Sequence, residues 1–489
     1  MKTSTANPSC PTPQAPASLA ANEAIADPLQ QLLKCNFRDA GEPWKTRHAL
    51  GKSLRANTPR ESHATWQPPS DRFDPVARVI DTNIGRQQHL LPLRMSRMAA
   101  SPFAFLRGSV AIMATDLSQT PVTGVNVVIN GDAHIGNFGL YGSAQRDVVF
   151  NLNDFDEVSV GPWEWDLKRL VVSLNVLGRE NGLKLRERRR AVMNCVSGYR
   201  KRMEELHTMG VLDLWYLHNV VDRLDSKLIK IDPKSQAILK KTIAKARKQN
   251  NATMLRKVAE RTLNGDWRFK YAPPELTPLD LDTKEKVIDA LNFYATTVPP
   301  ERRFMLHRYH VVDVAHRVVG VGSVGARAYI ALLFGNDDHD PVFLQIKEAL
   351  PPAHGQYLPP LPAAFAHDGL RVVKGQKVLQ ASGDPLLGWT TIDGRSFYVR
   401  QMKNFKASID LQHLSGAPFD FLSKSAGMLL ARAHARSGDA AVIAGYCGSS
   451  DALDEAFATW AEAYGDQTVE DYAAFVQAID IGRIMTNVN

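Results

Sequence analysis

Asn130-Gly131-Asp132-Ala133-His134-Ile135-Gly136-Asn137 is followed, after an apolar stretch, by Asn153-Asp154-Phe155-Asp156. Gly and Asp favour turns for backbone reasons, so an isolated Gly-Asp-x-His marks no more than a loop. A D-x-D pair in a loop serves equally well as a cap. The order of the residues carries the information. One carboxylate, Asp132, precedes the side-chain amide of Asn137, and a hydrophobic run then leads to two more carboxylates, Asp154 and Asp156. Phosphoryl transfer needs a carboxylate beside the attacking hydroxyl and oxygen ligands that hold Mg²⁺ on the phosphates. Asp132 is therefore the candidate catalytic base, and Asn137, Asp154 and Asp156 are the candidate metal ligands.

The flanks sharpen this reading. Gly-Asp-x-His-x-x-Asn, a strand, Asn153-Asp154-Phe155-Asp156-Glu157 and then Gly161-Pro162-Trp163-Glu164-Trp165-Asp166-Leu167 resemble the aminoglycoside and choline phosphotransferase branch of the protein-kinase-like superfamily. The resemblance implies ATP and Mg²⁺ as cofactors. It also implies that Asp166 opens a buried helix and anchors the catalytic loop from beneath. One departure is visible, because Asn130 stands where many members of that branch carry His.

Further along, Val311 to Val319 reads as a strand running into Gly320-Val321-Gly322-Ser323-Val324-Gly325. The best-known home of G-x-G-x-x-G is the dinucleotide-binding fold, where the third glycine lies in the opening turn of a helix. Here apolar and aromatic runs, Arg327 to Phe334 and Pro341 to Lys347, are divided by Gly335-Asn336-Asp337-Asp338, which describes a hairpin. Strand, glycine loop, strand and strand with a lysine is the kinase arrangement. Gly320, Gly322, Ser323, Gly325 and Lys347 are the candidate nucleotide-binding residues. The commoner fate of a strand-end lysine is simple exposure.

The order of these parts is reversed relative to a kinase, since the catalytic and metal loops precede the glycine loop and Lys347. Phe397 to Met402 resembles the strand leading to a hinge, and Ser423 to Arg436 has helical spacing with Ala426, Leu429, Leu430 and Ala433 on one side. Rotating the sequence restores the usual order. The expected fold is α+β: a protein-kinase-like two-lobed fold, circularly permuted, with a helical insertion. Permutation is reasonable where the ends of a domain lie close together at its surface. The expected division is a largely disordered arm over 1–75, the catalytic and metal loops of the larger lobe over 76–180 and its helical part over 181–305. A β-rich nucleotide-binding lobe over 306–410 and a closing helical segment over 411–489 follow. Active protein kinases pair the strand lysine with a Glu on a neighbouring helix. The helix expected over Gly369 to Gln380 offers Arg371, Lys374 and Lys377 but no Glu, which leaves Asp368, Gln376 or Gln380 as substitutes. Glu348, adjacent to Lys347 on a strand, points to the opposite face.

The whole pattern also resembles the bacterial domain of unknown function 2252 family. The resemblance is carried by Met98 to Gly108, the Gly-Asp-Ala-His loop, Asn153 to Glu157, Gly320 to Gly325, Leu344 to Ala349 and Ala433 to Asp439. It implies a family without implying an activity.

Composition bounds the rest. A chain of 489 residues allows two to four domains and a sizeable core. The four cysteines, Cys10, Cys35, Cys195 and Cys447, lack C-x-x-C spacing, which argues against a zinc site or a disulfide framework. The polar start lacks a signal h-region and no apolar run approaches a membrane span, so the chain reads as cytoplasmic with no membrane partner. A short helix around Ile25 to Leu33 fits the Pro- and Ala-rich arm. Basic runs at Lys184 to Arg190 and Lys240 to Lys248 suit either an anionic partner or a solvated helix face. The net charge of +8 is small for this length and no aromatic-interleaved motif accompanies it, which argues against nucleic acid. Arg94, Arg97 and Arg107 suit an acidic substrate group or ion pairs with carboxylates equally. His434, Arg436 and Asp439 suit a site at a helix end or a structural part against the helix dipole.

Three classes of function follow. The first is an Mg-ATP-dependent phosphotransferase whose partners are the nucleotide and a hydroxyl-bearing acceptor, either a small molecule or a protein. The second is an AMP-transferring nucleotidyltransferase on the same scaffold. The third is a nucleotide-binding pseudokinase, against which the intact Asp132, Asn137 and Asp154 argue.

Overall fold

The helix Trp163–Glu180 is buried at every position from Trp163 to Gly178. A helix with no solvent face must be surrounded. Here the helices Leu185–Leu206, Gly416–Ala435, Ala440–Cys447 and Ala452–Asp480 enclose it, together forming the largest core of the chain. Each Leu or Val so buried contributes about 2 kcal/mol of transfer free energy, so this bundle is the rigid base of the fold. The computed structural model describes residues 41–217, 231–318, 320–362, 365–402 and 404–486. It is a mixed α+β structure, mostly helical, with one six-stranded antiparallel sheet.

That sheet runs in the order Gly388–Ile392, Arg395–Gln401, Pro341–Glu348, Ala328–Phe334, His310–Arg317, Leu276–Thr277. The expected hairpin is present: Ala328–Phe334 and Pro341–Glu348 pair antiparallel, with Lys347 opposite Ala328. A strand, not a helix, therefore follows the glycine turn. The two faces separate cleanly because strand side chains alternate. Leu344 and Ile346 pack with Val287, Leu291 and Tyr294 of the Leu281–Thr297 helix. Phe343 lies on the other face with Met254, Leu255 and Phe269. Gln345 and Lys347 share that second face by alternation, as do their register partners Arg400 and Tyr398.

Two smaller antiparallel pairs decide where the loops 130–137 and 153–158 go. Asn126–Ile129 pairs with Ser159–Pro162, which sets Ile129 opposite Ser159. Phe138–Gly142 pairs with Val148–Leu152, which sets Phe138 opposite Leu152. The loop from 130 to 137 and the loop from 153 to 158 each link one pair to the other. They must therefore run side by side, and Asn153 N donates to Asn137 O at 2.9 Å.

The disorder expected over 1–75 does not hold for the described residues 41–75. The Ile25 to Leu33 helix lies outside the described residues. From residue 41 onward the chain is structured, with the helix Trp44–Ser53, short 3₁₀ turns at Leu54–Ala56 and Arg60–Ala64, and the helix Pro75–Asp81. Pattern reading missed the first helix because it docks through glycine instead of an apolar stripe. A Cβ on Gly51 would lie 1.9 Å from Val442 O, and one on Gly445 would lie 2.0 Å from His48 O. The two backbones touch. Gly445→Ala should therefore cost roughly 3 kcal/mol, the upper end of ordinary overpacking. A denaturant midpoint equal to that of the wild type would show that the Trp44–Ser53 helix does not dock on Ala440–Cys447.

Other helices sit close to their expected bounds: Asp368–Leu379 for Gly369 to Gln380, and Gly416–Ala435 for Ser423 to Arg436. The region 181–305 is helical but also carries the strands Ala259–Arg261, Trp267–Phe269 and Leu276–Thr277. Its basic run is largely neutralised, with Arg188 on Glu462, Arg189 on Glu455 and Arg190 on Asp420. Among the described residues, no helix is long and apolar enough to cross a membrane.

Candidate active site

Asp166 holds the loop 130–137 from below. Its carboxylate, in the first turn of the Trp163–Glu180 helix and 1% exposed, accepts from Asn130 N at 2.6 Å and Gly131 N at 2.8 Å. His434 Nε2 lies 3.2 Å from Asp166 Oδ2, and Tyr199 Oη lies 2.9 Å from His434 Nδ1, so two more helices brace the same carboxylate. Gly131 is required here: φ is +77° and a Cβ would lie 2.2 Å from Glu157 O. Asn130, the departure from His, donates through Nδ2 to Asp154 O at 2.5 Å and thereby ties the two loops together.

Asp132 then projects from the loop with its side chain about one-fifth exposed. Its Oδ1 accepts from Arg169 Nε at 2.9 Å, and the Arg169 Nη2 lies 2.8 Å away. Burial pushes this carboxyl up to about 7; Arg169 pulls the other way, and the nearby Glu157 and Asp154 charges add to the rise. Asn137 sits in a 3₁₀ turn, where its Nδ2 donates to Asp132 O at 2.7 Å. The side-chain amide is thus fixed with the nitrogen on the loop, leaving the amide oxygen as the other end.

Asp154 and Asp156 divide their work. Asp156 is fully engaged: Lys347 Nζ binds Oδ2, Ser323 Oγ donates to Oδ2 at 3.1 Å, and Tyr398 Oη donates to Oδ1 at 2.9 Å. Asp154 Oδ1, by contrast, is buried and has no hydrogen-bond partner, lying 3.8 Å from Lys347 Nζ. Burial alone would raise the Asp154 carboxyl, but Lys347, Arg400 and Lys406 hold it down at about 2. Lys347 is 3% exposed, and the two carboxylates outweigh burial and keep its pKa above the ordinary lysine value. The exposed strand-end reading of Lys347 is thereby corrected.

The expected substitutes for the missing Glu do not reach Lys347. Asp368 accepts from Arg371 Nε at 2.9 Å, Gln376 donates to Gln380 Oε1 at 3.0 Å, and Gln380 donates to Leu152 O at 2.7 Å. The partner is Asp156, supplied by the second loop and not by the helix. The helix instead contributes Arg371, whose Nη1 donates to Asp156 O at 3.0 Å. Glu348 binds Arg327 and Arg395 on the other face, as alternation requires.

The turn between His310–Arg317 and Ala328–Phe334 lies against the same loops, with Ser323 Oγ on Asp156. Its 3₁₀ segment is Val321–Ser323, and Gly325 has φ +88°. Arg86 Nη1 donates to Val324 O at 2.9 Å, and Gln87 N donates to Gly325 O at 2.7 Å, so residues just before the Leu91–Met98 helix clamp the turn from outside. Asp132, Asn137, Asp154, Asp156, Lys347, Gly320, Gly322 and Ser323 all line one cleft of about 920 Å³, whereas Gly325 does not line it. Residues that pattern reading missed are Arg169, Tyr398 and Arg400. Arg169 was findable, since it follows Asp166 by one helical turn and so shares its face. Of the trio His434, Arg436 and Asp439, only His434 acts on the loop, through Asp166. Arg436 Nε donates to Val378 O at 2.6 Å, and Asp439 caps the helix Ala440–Cys447.

Fold and site together define an α+β protein with a large polar cleft in which acidic loops meet a sheet-borne lysine. Residues 86–478 match the family described as uncharacterized protein conserved in bacteria (DUF2252), and the chain belongs to that family. No curated protein and no solved structure matches it.

Proposed function

We propose that the protein is an Mg-ATP-dependent phosphotransferase acting on a hydroxyl, built on a circularly permuted, two-lobed, kinase-like fold. One observation carries the reading. Asp132, Asn137 and Asp154 from one part of the chain and Lys347 with Gly320, Gly322 and Ser323 from another line a single cleft. The donor set suits Mg²⁺, a hard cation that prefers oxygen ligands. Asp154 offers an ionised carboxylate with an unpartnered buried oxygen, and Asn137 offers an amide oxygen. Bound Mg-ATP supplies the electrophilic γ-phosphorus and a leaving group whose charge the ion neutralises.

The chain's own residues do the rest. Lys347, held by Asp156, presents a fixed positive charge to the phosphates. Asp132 accepts the proton of the acceptor hydroxyl as its oxygen bonds to the γ-phosphorus and the bond to the bridging β,γ-oxygen breaks. Arg169 keeps Asp132 oriented. Asp156 supplies the carboxylate that the helix lacks, which favours phosphoryl over AMP transfer, because the lysine keeps the carboxylate partner expected of an active kinase.

Incubation with ATP labelled at the γ or the α phosphate, across a set of metabolites, tests this. Label transferred from the γ position supports the reading, and label transferred only from the α position replaces it with AMP transfer. Nucleotide binding with no transfer from either position makes the protein a pseudokinase.

A further inference from the structure

Arg72 lies between Asp116 and Asp471 at 2.8 and 2.7 Å, and Arg200 pairs with Asp454 at 2.7 Å. Arg432, away from the cleft, is buried without such a partner. On the wall of the cleft built by residues 78–107 four arginines together have no carboxylate within ion-pair distance. Arg94 is 1% exposed; its Nη1 donates to Asn83 Oδ1 at 2.7 Å and its Nη2 to Gly108 O at 2.8 Å, and its Nε has no partner. Arg86 donates only to the carbonyls of Thr82 and Val324. Arg107 makes no hydrogen bond or ion pair among the described residues, and its Nε is buried. Arg78 Nε is likewise buried and unpartnered, with Nη2 at a long 3.4 Å from Tyr357 Oη.

All four line the same cleft. The carboxylates on this wall, Asp81 and Glu157, make no ion pair with any of them, and Glu157 Oε2 accepts from Ala353 N at 2.7 Å. Arg94 is held well below the ordinary guanidinium value by burial and by repulsion from Arg86, while Glu157, Asp156 and Glu348 attract Arg86 from beyond ion-pair distance.

Arg94 is buried and the other three are partly exposed, and a buried charge without a partner is costly, so a ligand anion in the cleft would complete the balance. Guanidinium forks match phosphate and carboxylate oxygens in geometry. Arg107 reaches both sides of the cleft: its Nε lies 3.7 Å from where a Cβ on Gly136 would be, beside the catalytic loop, and its backbone O lies 3.2 Å from where a Cβ on Gly322 would be, beside the glycine turn. Lys347 stands on the sheet, while Asp154 comes from the loop tied to Asn130.

We infer that this arginine wall is an anion subsite and that the acceptor carries a phosphate or carboxylate group alongside its hydroxyl. The inference rests on the phosphotransferase reading for the word acceptor, while the subsite itself rests on the four arginines.

Inorganic phosphate is the probe. Its binding to the full chain is measured calorimetrically, alone and with a saturating non-hydrolysable Mg-ATP analogue present. Phosphate is expected to bind in both states. Arg107→Gln and Arg78→Gln should each weaken it by about ten- to a hundredfold, as expected for loss of a charge-assisted contact. Neither variant should melt below the wild type, since neither side chain has a carboxylate partner to lose and each leaves one buried Nε unpartnered. Phosphate that binds only when the analogue is absent would assign the wall to the nucleotide's phosphates and overturn the inference, as would variants that bind like the wild type. Phosphate binding that is sensitive to both arginines in a chain that binds no nucleotide upholds the subsite and removes the phosphotransferase reading. Comparing γ-label transfer to glycerol with transfer to glycerol phosphate separates the acceptor claim, which equal turnover of the two would overturn.

Discussion

Asp154→Ala is expected to abolish the thermal stabilisation that Mg-ATP confers on the wild type. A ligand that binds only the folded state at about a hundred times its Kd adds about 2.7 kcal/mol, and the variant should show close to none of it. The reason is local. Asp154 presents a buried oxygen with no hydrogen-bond partner and only a long ion pair to Lys347, and its carboxyl is held at about 2, so it is ionised at any working pH and ready for a divalent ion. The free variant should fold as well as the wild type, because Lys347 keeps Asp156 and Tyr398 keeps its own bond to Asp156. Asp156→Asn makes the informative comparison. That side chain binds Lys347, Ser323 and Tyr398 at once, so its loss loosens both the lysine and the glycine turn. Nucleotide binding should then weaken with or without Mg²⁺, whereas Asp154→Ala should remove only the Mg²⁺-dependent part. A full Mg-ATP shift in Asp154→Ala would falsify its place in the site.

Much of this arrangement was legible in the chain because it depends on local rules. The hairpin after Gly325 follows from two apolar runs around a Gly-Asn-Asp-Asp turn, and Lys347 falls on the cleft face by alternation alone. The buried Asp166 was expected only through the resemblance of Gly161 to Leu167 to the phosphotransferase branch, not from a local pattern. What escaped was set by tertiary pairing. The carboxylate for Lys347 was sought on the Asp368–Leu379 helix, where sequence order would put it. Tyr398 lies opposite Lys347 in the strand register, and Asp156 reaches both only because the two short strand pairs set its loop against the sheet. No local pattern encodes that approach. The arginine wall was visible only as scattered residues with two equal readings. That Arg94 and Arg107 have no carboxylate partners is a property of packing, and it decides against the ion-pair reading for these two. Arg97, which lies 3.6 Å from Glu275, follows the other. The docking of Trp44–Ser53 escaped for a related reason, since a backbone-to-backbone contact through Gly51 and Gly445 leaves no apolar periodicity to read.

Asp132→Asn should keep Mg-ATP binding and lose turnover by roughly 10²–10⁴-fold, the usual contribution of a positioned general base. The replacement keeps an oxygen for Arg169, so the loop should hold its shape. The pH profile makes the assignment specific. With the carboxyl pushed up to about 7, the base form grows as pH rises, and kcat/KM in the wild type should climb about tenfold per unit below that value and level off above it. Arg169 lowers this pKa, so Arg169→Gln should move the limb to higher pH, while Asp132→Asn should have no such limb in its residual rate. Stability carries the same signature with the opposite sign. A carboxyl raised from its unfolded value of about 4 binds its proton more tightly when folded. Its contribution to stability is complete below that unfolded value and is lost as pH rises towards about 7. The Asn variant should therefore lose less melting temperature than the wild type between those limits. Wild-type turnover in Asp132→Asn, with the acidic limb intact, would show that another group takes the proton.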